Sequence, residues 1–252
     1  MADTVWNPAA RSVAPAKAIR PRHSIAVRIT HWITAVAFLA LLISGGEIVV
    51  SHPRFYWGET GNVMTAPLFQ LPIPSSRATV PTGYGYVVPD QNGWSRYLHF
   101  QAAWALVLTG VFYAAFGLSR GHFRQNLLPA RADLSRKRFW RELILRLRFR
   151  PAAGEASSYN LVQRLTYLAV IFVLFPLDIW TGLAMSPAFA AAFPAAVTAW
   201  GGQQSALTIH FVVSLSLLLF LFVHVAMVWR AGFWSRVWAM IGGGAKEGEQ
   251  HG

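Results

Sequence analysis

The sequence predicts an all-α membrane protein built on a bundle of four transmembrane helices. Of its 252 residues, 54% are hydrophobic and only 13% are charged, whereas a soluble domain has about 25% charged residues. Four apolar stretches each reach the ~20 residues that a helix needs to cross a ~30 Å hydrocarbon core. The basic residues lie in blocks between these stretches, as membrane topology signals do.

Composition also excludes several classes of protein. High hydrophobicity excludes a disordered chain. The chain has no cysteine, which excludes disulfides, thiolate zinc sites, iron–sulfur clusters and covalently attached haem. A net charge of +12 is typical of nucleic-acid binding, but the arrangement of the charges in blocks favours a membrane protein instead.

The predicted spans cover residues 25–50, 97–118, 161–185 and 206–229. They must be helices, because lipid offers no partner for an unpaired backbone group. The first run exceeds the apolar core of a signal peptide and no good A-x-A cleavage site follows it, so we expect a retained span. The remaining segments are a tail over 1–24, connections over 51–95 and 119–158, and a tail over 232–252.

The positive-inside rule sets the predicted orientation. Ten basic residues lie between Arg120 and Arg150, and further ones lie in both tails, whereas the connection between spans 3 and 4 has none. Both termini and the 119–158 connection are therefore expected in the cytoplasm. The basic stretch 134–150 is amphipathic and is expected along the inner membrane surface. The proline-rich, aromatic connection 51–95 faces outward, either as a docking surface or as a simple connector.

Four histidines lie inside the predicted spans, where ionisable residues usually have a function. His31 and His224 are near the inner ends of spans 1 and 4, and His99 and His210 are near the outer ends of spans 2 and 4. His210 and His224 are separated by 14 residues, close to four helical turns, so they share a face about 21 Å apart. Two histidines at matched depth can hold the iron of a b-type haem between helices, and the sequence therefore predicts two haems b.

Glycines and arginines near the histidines fit the same hypothesis. Gly45 shares a face with His31 at the depth of the outer pair, and Gly110 follows His99 toward the inner side; either would let a flat macrocycle approach, although ordinary helix packing also uses small residues. Arg28 and Arg96 each lie one turn before a histidine and are candidates to pair with haem propionates. Arg28 is alternatively a topology charge.

Two other uses of membrane histidines compete with haem binding. A proton relay would bring several carboxylates into the spans, but only Glu47 and Asp178 come close, both near outer ends. A zinc or copper site would place carboxylate or sulfur ligands beside the histidines. Ligand chemistry therefore favours haem.

The four-histidine pattern and the segment Arg28-Ile29-Thr30-His31-Trp32 resemble the bacterial cytochrome b561-like family. That family includes the b-type cytochrome subunits of nickel–iron hydrogenases and the gamma subunit of formate dehydrogenase. The resemblance covers about residues 22–242. A second matching motif, residues 159–164 (YNLVQR), lies beside the inner haem and the quinone pocket in that family. By this resemblance Asn160, Gln163 and Arg164 are expected to bind a quinone, although Asn160 is alternatively a helix N-cap.

The resemblance implies an electron-transfer subunit of a bacterial inner membrane that links the membrane quinone pool to a periplasmic enzyme. The long 51–95 connection is more similar to relatives paired with a molybdopterin oxidoreductase of the sulfite-oxidase type than to hydrogenase or formate dehydrogenase subunits. The same haem and quinone sites would serve electron flow from the periplasmic enzyme to quinone or from quinol to that enzyme. The alternatives are a stand-alone quinone reductase acting on a small molecule such as superoxide, and a non-redox transporter or membrane anchor. The sequence leaves the oligomeric state open.

Overall fold

The computed structural model describes residues 24–62, 64–73, 93–121 and 161–242, with isolated positions at 123, 128, 129, 135, 137, 140, 141 and 144. In this part of the chain four helices are long and apolar enough to span a membrane. They are α1 (Ile25–Ser51), α2 (Gly93–Ser119), α3 (Leu161–Ala184) and α6 (Gln203–Arg230). The predicted four-helix membrane fold is confirmed. The amphipathic stretch 134–150 lies mostly outside the described residues.

Shorter elements connect these spans at the end that we call outer, following the predicted topology. Strands β1 (Arg54–Phe55) and β2 (Phe69–Gln70) form an antiparallel pair between α1 and α2. Helices α4 (Pro187–Ala192) and α5 (Pro194–Thr198) connect α3 to α6. A last helix, α7 (Phe233–Gly242), follows α6 at the inner end.

Small side chains at seven-residue intervals explain why α1 and α2 pack closely. A seven-residue spacing keeps one helix face toward its neighbour, and small residues let two membrane helices approach. The buried residues of α1 are Thr30, Ala37, Ser44 and Ser51. Those of α2 include Ser95, Ala102 and Thr109.

Larger apolar side chains fill the contact between α3 and α6. Val170, Val213 and Leu217 form a buried cluster there. Phe38 of α1 meets Phe175 of α3 edge to face, with ring centroids 6.0 Å apart, so the cluster is linked to the α1–α2 pair. Most other large apolar side chains on the spans are exposed, as expected for surfaces that face lipid rather than water.

A π-helical turn interrupts α3 over Val170–Leu174. Pro176 follows it, in the first turn of the α-helical segment Phe175–Ala184. Proline has no backbone N–H, and its ring clashes with the carbonyl four residues earlier; a π-turn accommodates that loss of regular hydrogen bonding. The turn separates an inner half that carries Gln163 from an outer half that carries Asp178.

Candidate haem sites at two histidine pairs

The structure brings the four membrane histidines together in two pairs. His31 of α1 faces His224 of α6 at the inner end, and His99 of α2 faces His210 of α6 at the outer end. In each pair the ring centroids are 6.2 Å apart and the ring planes are inclined by 66°. Both pairings are those expected from the depths of the residues in the sequence.

The ring separation fits a metal ion held between the two imidazoles of each pair. A histidine–metal bond of about 2.0 Å, with roughly 1.1 Å more from nitrogen to ring centre, places two ligating rings about 6 Å apart. A direct N–H···N hydrogen bond of about 2.9 Å would bring the centroids nearer, to about 5 Å. Among the described residues no group of three or more His, Cys, Asp or Glu side chains is placed to hold a metal. The pairs therefore suit a metal that brings its own equatorial ligands, as haem iron does.

Hydrogen bonds to His99 orient its ring for ligation. The Ser44 hydroxyl lies 2.7 Å from the Ala40 carbonyl, to which it donates. The same oxygen lies 3.1 Å from His99 Nδ1 and accepts a hydrogen bond from it. A proton on Nδ1 leaves Nε2 of His99 with a free lone pair, which is the form that binds a metal.

His210 is held more firmly, by α3. Its Nδ1 lies 2.9 Å from the backbone carbonyl of Asp178, and since a carbonyl only accepts, Nδ1 carries the proton. The Asp178 carboxylate lies 3.2 Å from the same nitrogen and accepts a hydrogen bond from Ser214 at 3.1 Å. Thr181 Oγ1 is 3.2 Å away. The imidazole is fixed in orientation with Nε2 available for iron.

Two aromatic side chains pack against the inner pair. Phe220 stacks against His224 with ring centroids 5.7 Å apart. Trp32 meets His31 edge to face at 5.4 Å. The two pairs thus share their spacing and differ in their neighbours.

The two predicted glycines differ in what lies beside them. A methyl group at Gly45 would lie 3.5 Å from His99 Cε1, an ordinary contact, whereas one at Gly110 would have no atom within 4 Å. Gly182 was missed from the sequence: a methyl there would lie 3.3 Å from His210 Cε1. Space beside Gly110 is compatible with a macrocycle on the α2 face.

The predicted arginines are placed at the two ends of the bundle. Arg28 donates from Nη1 to the carbonyl of Ile241 in α7 at 3.1 Å, and its Nε is buried without a hydrogen-bond partner. Trp32 donates to the neighbouring Met240 carbonyl at 3.3 Å, so α7 packs across the inner end of α1. Arg96 is exposed near the start of α2.

The expected quinone residues are only partly described. Asn160 lies outside the described residues. Gln163 donates to the Tyr167 hydroxyl at 2.9 Å, and Arg164 contacts the Leu128 carbonyl at 3.4 Å. Tyr167 meets Phe220 at a centroid distance of 6.3 Å, and Phe220 stacks on His224. Gln163 is therefore connected to the inner histidine pair through two aromatic rings.

The first part of the outer connection is docked on the outer end of α6. Phe55 is 2% exposed and stacks on Phe69 and Phe211. The Gly58 carbonyl accepts the amides of Gln204 and Ser205, so it satisfies two free donors at the start of the helix. This segment is an ordered surface; residues 74–92 lie outside the described part.

Comparison with known proteins agrees with this geometry. A family model described as prokaryotic cytochrome b561 matches residues 22–243. The chain belongs to this family. Membership confirms haem b as the cofactor and membrane electron transfer as its role, and it decides against the transporter or anchor alternative.

One curated relative of this cytochrome b561 adds a more specific likeness. It is named "Putative protein-methionine-sulfoxide reductase subunit YedZ1" and comes from Azospira oryzae. The two sequences are 29% identical over 217 residues, which cover 84% of this chain and 92% of the relative.

Proposed function

We propose that this cytochrome is a di-haem subunit that passes electrons between a membrane quinone at its inner end and a periplasmic redox enzyme at its outer end. The observation that carries the proposal is the pair of histidine sites with the same spacing, 6.2 Å between ring centroids, at opposite ends of the bundle. One site would serve a local redox reaction, whereas two spaced sites suit transfer across a membrane.

Bound haem supplies one-electron redox chemistry at each site. The protein contributes the ligands, with α6 providing one histidine to each pair. It also fixes the ligating nitrogen at the outer end, through Ser44 and the Asp178 carbonyl. The lipid-facing apolar surface excludes bulk water from both sites.

Gln163 and Tyr167 support a quinone site at the inner end. An amide and a phenol can hydrogen-bond the carbonyl oxygens of a quinone head group. Their contact through Phe220 with His224 places such a head group near the inner pair. Asn160 and Arg164 complete the proposed set, with protons exchanged on the cytoplasmic side.

The relative named as a reductase subunit favours outward electron flow, from quinol to a periplasmic reductase. The docked outer segment supports a protein partner over a small diffusible substrate such as superoxide, because it forms a surface packed on the outer end of α6, the helix that carries His210. We propose a molybdopterin oxidoreductase as that partner, with both termini of the cytochrome in the cytoplasm and the bundle in a bacterial inner membrane.

A haem count with histidine variants tests this function. The purified wild-type protein should give two haems b per chain in a pyridine haemochrome assay. His31→Ala and His99→Ala should each retain one, since each removes a ligand of a different pair. His52→Ala, just beyond α1, should retain both. One haem or none in folded wild-type protein would refute the di-haem proposal.

A further inference from the structure

A carboxylate lies beside one histidine of the outer pair. The four spans contain two carboxylates, Glu47 and Asp178, and both lie in the outer halves of their helices. Asp178 contacts a histidine of the outer pair directly, with its Oδ1 3.2 Å from His210 Nδ1.

The Asp178 side chain is held in place by α6. Ser214, one turn after His210, donates to Asp178 Oδ1 at 3.1 Å. The carboxylate is 19% exposed and His210 is 18% exposed, so water screens the contact little. Ser214 of α6 thus holds the Asp178 carboxylate of α3 in contact with the His210 ring.

A carboxylate in contact with a ligating histidine places a negative charge close to the bound metal. Such a charge stabilises ferric iron more than ferrous iron because the ferric ion has the higher charge. Stabilising the oxidised form lowers the reduction potential.

We propose that Asp178 is a positioning residue that lowers the reduction potential of the outer haem by acting on its ligand His210. This rests on the proposed di-haem function. Mutating the partners of metal-bound histidines typically changes metal affinity or activity about 10- to 100-fold. A tenfold preference for the oxidised state corresponds to about 59 mV for a one-electron couple.

Redox titration of the purified protein tests the proposal with Asp178→Asn and Asp178→Leu. Both variants keep the backbone carbonyl that accepts the His210 proton, so both should retain two haems. In each, one midpoint potential should rise by about 59 mV for a tenfold effect, while the other stays in place. The ferric spectrum in electron paramagnetic resonance should change for the same centre.

Glu47→Gln is the matched control, because it removes the other carboxylate of the outer halves, on a helix that contributes no ligand to the outer pair. It should shift either midpoint less than Asp178→Asn does. Unchanged midpoints in both Asp178 variants, or an equal shift in Glu47→Gln, would overturn the proposal. A single haem in the wild-type protein would instead overturn the proposed function.

Discussion

At the scale of single residues, glycines mark where a cofactor can approach the helices. A side chain at Gly45 meets His99 at an ordinary contact distance, and the neighbouring Gly46 has open space beside it. The protein itself therefore tolerates a methyl group at either position. If alanine at Gly45 and alanine at Gly46 change the haem content differently, the cause is therefore contact with the bound cofactor and not a clash within the protein.

We expect Gly45→Ala to reduce outer haem occupancy and Gly46→Ala to leave it unchanged. Gly45 points toward the outer pair, whereas Gly46 is turned about 100° around the helix. The measurement is the haem-to-protein ratio, with folding checked by circular dichroism. Equal haem content in both variants would contradict a macrocycle beside Gly45.

At the scale of elements, the outer segment and the start of α6 stabilise each other. Gly202 adopts a backbone φ of +119°, and a methyl group there would lie 2.5 Å from the Gly58 carbonyl carbon and oxygen. Thr208 donates to the Tyr56 carbonyl at 2.6 Å. This packing allows no side chain at position 202.

Gly202→Ala should therefore destabilise the folded protein by about 1–3 kcal/mol, the typical cost of a strained backbone position. The measurement is the thermal midpoint in detergent, together with protease cleavage within residues 52–62. Gly242→Ala is the control, because nothing lies within 4 Å of that position at the far end of the molecule. A Gly202→Ala variant as stable as Gly242→Ala would contradict this interpretation of the docked segment.

At the scale of the whole molecule, substitutions in the proposed quinone site at the inner end should weaken quinol binding without changing haem binding. Gln163→Leu and Tyr167→Phe should each raise the KM for a quinol analogue about two- to tenfold, since one hydrogen bond contributes about 0.5–1.5 kcal/mol. Both variants should keep the wild-type haem content. Thr166→Val, on an exposed position of the same turn, should change neither quantity. A KM unaffected by both substitutions would place the quinone elsewhere.

Because the two histidine pairs lie at different depths, the distribution of an electron between the two haems should depend on the membrane voltage. A separation of about 21 Å is roughly two thirds of a ~30 Å core, and one charge crossing the whole membrane corresponds to about 2.3 kcal/mol per 100 mV. In oriented proteoliposomes, an outside-positive potential of 100 mV should favour reduction at the outer end by about 1.5 kcal/mol. Spectra under an imposed potassium gradient measure this shift, and its absence would mean that the pairs lie at one depth.

Periodicity and hydropathy were enough to predict the four membrane helices and the histidines that face each other. Both follow from rules that act along the chain: a bilayer needs about 20 apolar residues, and 3.6 residues per turn places His210 and His224 on one face. The largest boundary difference is at α2, which begins at Gly93 rather than at residue 97. The polar turn Ser95–Arg96 continues the helix beyond the apolar run.

Tertiary structure alone decided which side chains support the ligands. Ser44, Asp178, Thr181 and Ser214 come from three helices, and only the packing of α1 on α2 and of α3 on α6 brings them to His99 and His210. The sequence showed that Asp178 lies in a membrane span. It did not show that His210 and Ser214 are the partners of this carboxylate. Hydrogen bonds between helices depend on rotation and offset of one helix against another, and no period within a single helix encodes these.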